Sequence, residues 1–193
     1  MAEETSVIDA APGALERLRS VLREEGGLIA SLLDAPAGEQ GAPRIAVGTP
    51  DGPAQLAAEG PRTQAHRADY ELLFEAIYEG YLLHYGPQRV VRAPDADLRV
   101  LAGDRLYAIG LARLVELGDT AAVAELADTI TLSALAQGAG DVPLADAVWA
   151  AGARAVGWGS SEQHRRAKRL VANGADEAIE AMRTSAAGVS STP

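Results

Sequence analysis

Apolar residues recur at helical spacing through most of the chain. From Pro12 to Asp34, leucine and other aliphatic residues repeat every three or four positions, which is the period of an amphipathic helix. The Gly26-Gly27 pair is expected to break or kink that helix. The same pattern predicts further helices, over about 63–85, 94–117, 119 or 120–137, 143–156 and from Ser160 or Ser161 onward. The fold class is therefore predicted to be all-α, as a helical bundle.

The segments outside these helices differ in composition. Residues 35–61 hold five of the ten prolines and five glycines, so they are predicted to form a long loop, either a lid or a disordered segment. Residues 1–12 are polar and are predicted to be flexible, and residues 184–193 are rich in Ser, Thr and Gly and are predicted to be a disordered tail. A single helical domain over 13–183 follows from this division.

The helix predicted over 94–117 is apolar on nearly all sides. Such a helix is typical of the centre of a bundle or of a face that contacts a partner, and we interpret it as the central element. Small residues such as Gly103 and Gly110 would let neighbouring helices approach it closely. The short link at Gly118-Asp119 predicts an antiparallel hairpin with the next helix, with Asp119 or Thr120 as its N-cap.

Composition and charge limit the classes of partner. The formal net charge of −10 disfavours nucleic acid and anionic membrane surfaces. The chain has no cysteine, so it has no disulfide, no thiolate nucleophile and no cysteine–zinc site. No apolar run approaches the ~18 residues that a membrane span needs, and the acidic N-terminus lacks the pattern of an export signal. We therefore expect a cytoplasmic protein without a membrane span.

Two groups of acidic residues lie on predicted helices. Glu71, Glu75 and Glu79 follow one another at four-residue spacing, which predicts either a Mg²⁺ or acid–base face or, as we prefer, a stripe exposed to solvent. Asp104 lies in the mostly apolar helix beside Arg105, where a charge needs a partner or an exposed position. It is interpreted either as a site residue or, preferably, as a hydrogen-bonding anchor to a neighbouring helix.

One basic cluster, residues 164–169, stands in the acidic chain. Arg165, Arg166 and Arg169 could bind a phosphate or diphosphate, although pairing with the protein's own acids is the simpler interpretation. The three histidines, at 66, 84 and 164, form no pair at the spacing of metal ligands, so no metal site is predicted.

The segment 70–140 resembles the isoprenyl (polyprenyl) diphosphate synthase family. The stretch from Leu101 to Ala108 matches that family's L-x-G-D-x-L-x-A pattern, and the stretch from Leu114 to Asp119 ends in its E-L-G-D. The stretch from Leu82 to Gly86 stands where the family reads L-I-H-D-D. The resemblance implies part of the isoprenoid synthase fold, and it points to ligand-binding candidates, namely Tyr81, His84, Asp104, Arg105 and Tyr107.

The chain departs from that family where the family binds metal. Tyr85 and Gly86 replace the first aspartates, which hold Mg²⁺ and the allylic diphosphate, and Asp95 and Asp97 are a poor substitute because prolines flank them. Some family members pair a catalytic subunit with a small, degenerate one that lacks the acidic motifs. The resemblance therefore implies a non-catalytic partner or regulatory subunit, without a cofactor, since Mg²⁺ would be needed only by an active chain.

Three hypotheses about function remain open. The partner of a non-catalytic subunit would be a catalytic prenyl synthase, or the chain would form a homo-oligomer. The alternative is a self-contained small-molecule-binding or adaptor domain, with an apolar pocket among the helices over 63–137. A third hypothesis is an enzyme with an unusual acidic set, drawn from Glu71, Glu75 and Asp104.

Overall fold

The computed structural model describes residues 13–33 and 52–188. Within these ranges the fold is all-α, as predicted, and no strand occurs. The helices, in chain order, are α1 (Ala14–Glu25), α2 (Gly27–Ser31), α3 (Pro53–Glu59), α4 (Arg67–Tyr85), α5 (Ala96–Glu116), α6 (Thr120–Gly138), α7 (Val142–Trp158), α8 (Glu162–Ala172) and α9 (Ala178–Ala187). A 3₁₀ turn over Gln64–His66 precedes α4. In the described part of the chain, no helix has the length and apolar character that crossing a membrane requires.

Short polar side chains set the starts of four helices. Asp95, Asp119, Asp141 and Ser161 each accept a hydrogen bond from the backbone N–H three residues later. Gly26, with φ of 70°, separates α1 from α2, so the predicted break is confirmed. The predicted N-caps at Asp119 and Ser161 are confirmed as well.

The centre of the bundle is formed by α4 and α7. Helix α4 packs against α1, α3 and α5, and α7 packs against α3, α6 and α9. Phe74 of α4 and Trp149 of α7 meet edge to face with ring centroids 6.0 Å apart, and both are buried. The interpretation of residues 94–117 as the central helix was wrong, because α5 packs chiefly on α4 and exposes its outer face.

Part of the predicted loop is helical. Pro53 begins α3, and Ala54, Ala57 and Ala58 are completely buried against α4 and α7. Proline at the first turn of a helix breaks no hydrogen bond, so the proline content of this segment misled the prediction. Residues 34–51, where the lid or disordered segment was predicted, lie outside the described residues.

The C-terminal helix is longer than the sequence suggested. Helix α9 continues to Ala187 and ends at Gly188 with φ of 66°, so the prediction that the disordered tail starts at 184 was wrong for 184–188. Met182 and Ser185 are buried within α9, which explains why the helix persists through residues of low helix propensity. The predicted flexible ends at 1–12 and 189–193 lie outside the described residues.

Candidate functional site

Glycines let α4 and α5 cross at short range. A Cβ at Gly80 would lie 2.9 Å from the carbonyl oxygen of Gly103, and a Cβ at Gly110 would lie 2.9 Å from that of Leu73. Backbone atoms cannot move aside as a flexible side chain can, so larger residues would force the helices apart. The close crossing brings the end of α4 against the first half of α5, where most of the predicted ligand residues lie.

His84, Asp104 and Tyr107 are brought together at this crossing. The rings of His84 and Tyr107 stack with centroids 5.4 Å apart and planes 9° apart. Nε2 of His84 is 3.3 Å from Oδ1 of Asp104, but the geometry is not that of a hydrogen bond. That nitrogen is buried without a hydrogen-bonding partner in the described part of the chain, while the Asp104 side chain is 65% exposed.

A row of tyrosines continues from this point along α4. Tyr78 and Tyr81 stack with centroids 5.8 Å apart, and Tyr81 and Tyr85 lie 5.4 Å apart. The Tyr81 hydroxyl accepts a hydrogen bond of 2.6 Å from Gln137 of α6. Burial raises the pKa of Tyr78 to about 12 and also raises the pKa of Tyr107, so both phenols are neutral at pH 7. We name Tyr81, His84, Tyr85, Asp104 and Tyr107 the aromatic end.

The fifth predicted ligand residue does not join this group. Arg105 points away from the tyrosines and pairs with Glu25 of α1 at 2.7 Å. The aromatic end therefore has no cation of its own for a diphosphate. It also lies at the C-terminus of α4, where the helix dipole disfavours an anion. Asp95 is occupied as the N-cap of α5. In 13–33 and 52–188 no group of three acidic or histidine side chains could hold a metal ion.

Of the three carboxylates predicted to form a solvent-exposed stripe on α4, Glu79 is buried and Glu71 and Glu75 are only partly exposed, so that prediction was wrong. The Glu79 side chain is 0% exposed and accepts hydrogen bonds from the backbone N–H groups of Arg89, Val90 and Val91, at 3.1, 2.7 and 3.2 Å. The Arg89 guanidinium binds Glu79 at 2.9 Å and Glu75 at 2.7 Å. Glu71 is partly exposed and pairs with Arg17. These residues fix the segment between α4 and α5 and leave no free acid–base face.

The outer face of α5 carries an unusual set of exposed apolar residues. Leu101 and Val115 are 57% and 62% exposed, and Ala108 and Ala112 between them are exposed as well. The seven-residue intervals from 101 to 108 and from 108 to 115 keep these residues on one side of the helix. We name these four residues the α5 stripe. Exposed charged side chains lie beside these residues, and Arg105 lies between Leu101 and Ala108; the charged residues are Asp97, Asp104, Arg105 and Glu116.

The predicted phosphate-binding arginines of α8 do not converge. Arg165 and Arg169 both pair with Glu162 on their own helix, at 2.8 and 3.3 Å. Arg166 is exposed and makes no ion pair within 13–33 and 52–188. The simpler interpretation, that these arginines pair with the protein's own acids, therefore applies to two of the three residues.

The inward face of α8 forms a buried polar cluster instead. His164 is 3% exposed, with Nε2 2.6 Å from Oε1 of Glu125 and Nδ1 2.8 Å from Oγ of Ser185. Lys168 binds the other oxygen of Glu125 at 2.9 Å and also contacts Asp128. We name Glu125, His164, Lys168 and Ser185 the His164 cluster. It joins α6, α8 and α9, and the spacing of His164, Ala167, Lys168 and Val171 on one face of α8 was the signal that could have predicted it.

Two open concavities on the described part of the chain are large enough to be considered as binding places. One, of about 210 Å³, lies between α7, α8 and α9 and includes His164 and Ser185. The other, of about 320 Å³, is bordered by α3, α4 and α7 and includes Asp146 and Trp149. Nε1 of Trp149 is buried without a partner in the described ranges. Neither concavity lies among α4, α5 and α6, where the small-molecule hypothesis places a pocket.

Comparison of the chain with protein-family models, with curated proteins and with solved structures finds no match. The likeness to isoprenyl diphosphate synthases is therefore limited to the short sequence motifs within residues 70–140, and membership of that family stays a prediction. In the structure these motifs occupy α4, α5 and α6. The aspartate that ends the E-L-G-D motif, Asp119, caps α6 and accepts hydrogen bonds from Tyr70 and Arg62. Its role here is structural.

Proposed function

We propose that this chain is a non-catalytic subunit that docks on a catalytic isoprenyl diphosphate synthase through the α5 stripe. The observation that carries the docking surface is the exposed apolar stripe on an edge helix. The identity of the partner rests on the L-x-G-D and E-L-G-D motifs. The hypothesis of a self-contained small-molecule-binding domain stays a prediction beside it.

The α5 stripe has the shape that a partner helix requires. Two large aliphatic residues lie at its ends, and the small side chains of Ala108 and Ala112 lie between them. Small residues allow two helices to approach to the shorter end of the usual interaxial range of about 8–10 Å. Burial of the exposed halves of Leu101 and Val115 would contribute about 1 kcal/mol each, since complete burial of such a side chain contributes about 1.5–3 kcal/mol.

Charge at the borders of the α5 stripe favours an unlike partner over a second copy. Three of the four charged side chains are acidic, and the fourth, Arg105, already pairs with Glu25. Two copies that meet along this face would bring acids against acids, which opposes association. A partner helix with lysine or arginine beside its own apolar seam would complement these charges. The expected complex is therefore a heteromer.

The aromatic end supports a role that does not involve catalysis. The catalytic step of prenyl transfer needs metal ions to neutralise the leaving diphosphate. Tyr85 and Gly86 stand where the family's metal-binding aspartates would stand, and the neighbouring Tyr81 and Tyr107 offer neutral phenols in place of carboxylates. In the complex we expect the chain to stabilise the catalytic subunit or to limit product length, and the catalytic subunit to supply the metal and the diphosphate site.

The test uses the catalytic synthase of the same host, identified by its D-D-x-x-D motif. The two purified proteins are mixed, and their association is measured by analytical ultracentrifugation and calorimetry. Leu101→Glu should weaken binding by at least about 30-fold, or about 2 kcal/mol, because it removes about 1 kcal/mol of apolar burial and places a carboxylate in the contact. Leu28→Glu is the matched control, because Leu28 is similarly exposed, at 49%, but lies on α2.

Single cysteines give an independent readout of the contact surface. The chain contains no cysteine, so Val115→Cys and Leu28→Cys each introduce one attachment point for a crosslinker. Crosslinking to the catalytic subunit from position 115 and not from position 28 supports the proposed face. Absence of any complex at micromolar concentration, or equal binding by Leu101→Glu and the unmodified chain, would refute the proposal.

A further inference from the structure

The concavity between α7, α8 and α9 borders the His164 cluster. His164 of α8 and Ser185 of α9 line it, together with Arg154 of α7, Ser161 and Gln163. The lining includes no residue of α5, so an activity at this place would be independent of docking through the α5 stripe. A serine hydroxyl held by a histidine at the wall of a cavity is the arrangement that nucleophilic catalysis uses.

The ionisation state of Glu125 determines which nitrogen of His164 donates a hydrogen bond. Burial alone would raise the pKa of Glu125, but hydrogen bonds and charges from His164 and Lys168 lower it below its ordinary value, so Glu125 is ionised at neutral pH. An ionised carboxylate only accepts, so Nε2–H of His164 donates to it. When the imidazole is neutral, Nδ1 carries the lone pair and accepts a hydrogen bond from the Ser185 hydroxyl.

We propose that Ser185, His164 and Glu125 form a nucleophilic centre that hydrolyses small acyl esters bound in this concavity. In the first step, Oγ of Ser185 bonds to the carbonyl carbon and its proton passes to Nδ1 of His164. The ester C–O bond then breaks, and the leaving oxygen takes that proton. Water next attacks the acyl carbon and gives a proton to Nδ1. The bond between the acyl carbon and Oγ breaks, and the proton returns to Ser185.

Glu125 positions the base. Its contact of 2.6 Å with Nε2 fixes the ring so that Nδ1 faces the serine hydroxyl at 2.8 Å. Either imidazole nitrogen can act as the base while the other is held by a carboxylate. The developing oxyanion would be met at the start of α8 by the N–H of Gln163, which lines the concavity and has no acceptor within the helix, whereas the N–H of His164 already donates to the Ser161 cap.

Size and charge define the substrate class. The volume of about 210 Å³ lies below the ~300–1,000 Å³ of sites for drug-sized ligands, so the acyl group must be short. The Arg154 guanidinium lies over the Trp158 ring at 4.4 Å and makes no ion pair within 13–33 and 52–188. Its N–H groups would donate hydrogen bonds to a carboxylate at the far end of the acyl chain. We therefore expect an ester of a short dicarboxylic acid to react faster than a neutral acetate ester.

The test combines a covalent probe with two chromogenic esters. The full chain is treated with a fluorophosphonate, and the modified peptide is identified by mass spectrometry. Hydrolysis of p-nitrophenyl acetate and mono-p-nitrophenyl succinate is measured in parallel. We expect modification at Ser185 and faster turnover of the succinate ester. Ser185→Ala should abolish both signals, and His164→Gln should slow them by about 10²–10⁴-fold.

Two further variants separate chemistry from folding. Ser133→Ala is the matched control, because Ser133 is also a buried helical serine but its hydroxyl binds the Ile130 carbonyl at 3.1 Å. Ser185→Cys places a single thiol in the cysteine-free chain, and iodoacetamide should alkylate it about 100-fold faster with His164 present than with His164→Gln. A folded wild-type chain that is not modified at Ser185, or a Ser185→Ala variant with wild-type turnover, would overturn the proposal and leave the cluster a packing role.

Discussion

Glu79 is the position where one substitution should reveal most about the stability of the bundle. Its side chain is 0% exposed and accepts hydrogen bonds from the backbone of residues 89–91 and from the Arg89 guanidinium. Glu79→Gln keeps the shape and one carbonyl oxygen, but it replaces the second oxygen by an NH₂ group. That group would face the Nε–H of Arg89, so a donor would meet a donor.

The expected loss of stability in Glu79→Gln follows from the burial of the ion pair between Glu79 and Arg89. Removal of one partner of a buried ion pair costs about 3–5 kcal/mol, because the other charge stays behind in a poorly solvated place. Arg89 keeps Glu75 at 2.7 Å, so we expect the lower end, about 3 kcal/mol. For a domain of 150–250 residues, that loss corresponds to a fall in Tm of about 6–12 °C.

Urea unfolding followed by far-UV circular dichroism at pH 7 measures the loss directly. The m-value must stay unchanged, since a changed slope would signal a different unfolding reaction. Glu71→Gln is the control on the same helix, because Glu71 pairs with Arg17 near the surface and such pairs contribute about 0–1 kcal/mol. A loss below about 1 kcal/mol for Glu79→Gln, equal to that of the control, would refute the structural role of this residue.

Two further predictions concern the pH dependence and the helix crossing. His164 and Lys168 lower the pKa of Glu125 in the folded state below its ordinary value of 4.5. This shift stabilises the fold at pH values above 4.5, and the stabilisation is lost as the pH falls through the lower pKa of the folded state. The free energy of unfolding should therefore fall more steeply between pH 6 and 3 for the wild type than for Glu125→Gln, and equal pH profiles would count against the pairing. Gly110→Ala should cost about 1–3 kcal/mol, because its Cβ would overlap a side chain of α4 and crowd a carbonyl oxygen of α4 at 2.9 Å. Gly138→Ala, where nothing lies within 4 Å of the added Cβ, should instead raise the free energy of unfolding by about 0.4–1 kcal/mol. If urea unfolding shows a comparable loss of stability in both variants, the close crossing of α4 and α5 is contradicted.

The sequence predicted the helices where local signals and burial agree. The ends of α4, α6 and α8 follow from caps and glycines, and these signals act within one turn of the helix. Helix α3 was missed because its alanines carry little periodic contrast, and the prolines around it suggested a loop. Only the packing of α3 between α4 and α7 explains why it is a helix, and such packing depends on residues far away in sequence.

The buried charges could not be predicted from spacing alone. The four-residue spacing of the α4 carboxylates is the same for a solvated face and for a buried one. The difference comes from the N–H groups of residues 89–91, which reach Glu79 only after the chain turns back past Gly86. The aromatic end was easier to predict, because the resemblance to a known family had already grouped four of its residues. Ser185 was missed because it was assigned to a disordered tail.

These buried contacts also determine how well α5 can serve as a docking surface. An edge helix loses less entropy on binding if it is already fixed, and here it is fixed at several points. Glu79 holds the segment that leads into α5, and Arg99 of α5 donates to the carbonyl oxygens of Leu83 and Gly86. The close approach of α4 and α5 at Gly80 and Gly110 also keeps the inner face of α5 packed on α4. The exposed Leu101 and Val115 are therefore presented by a rigid support, as expected for a surface that binds a partner and not for a fraying edge.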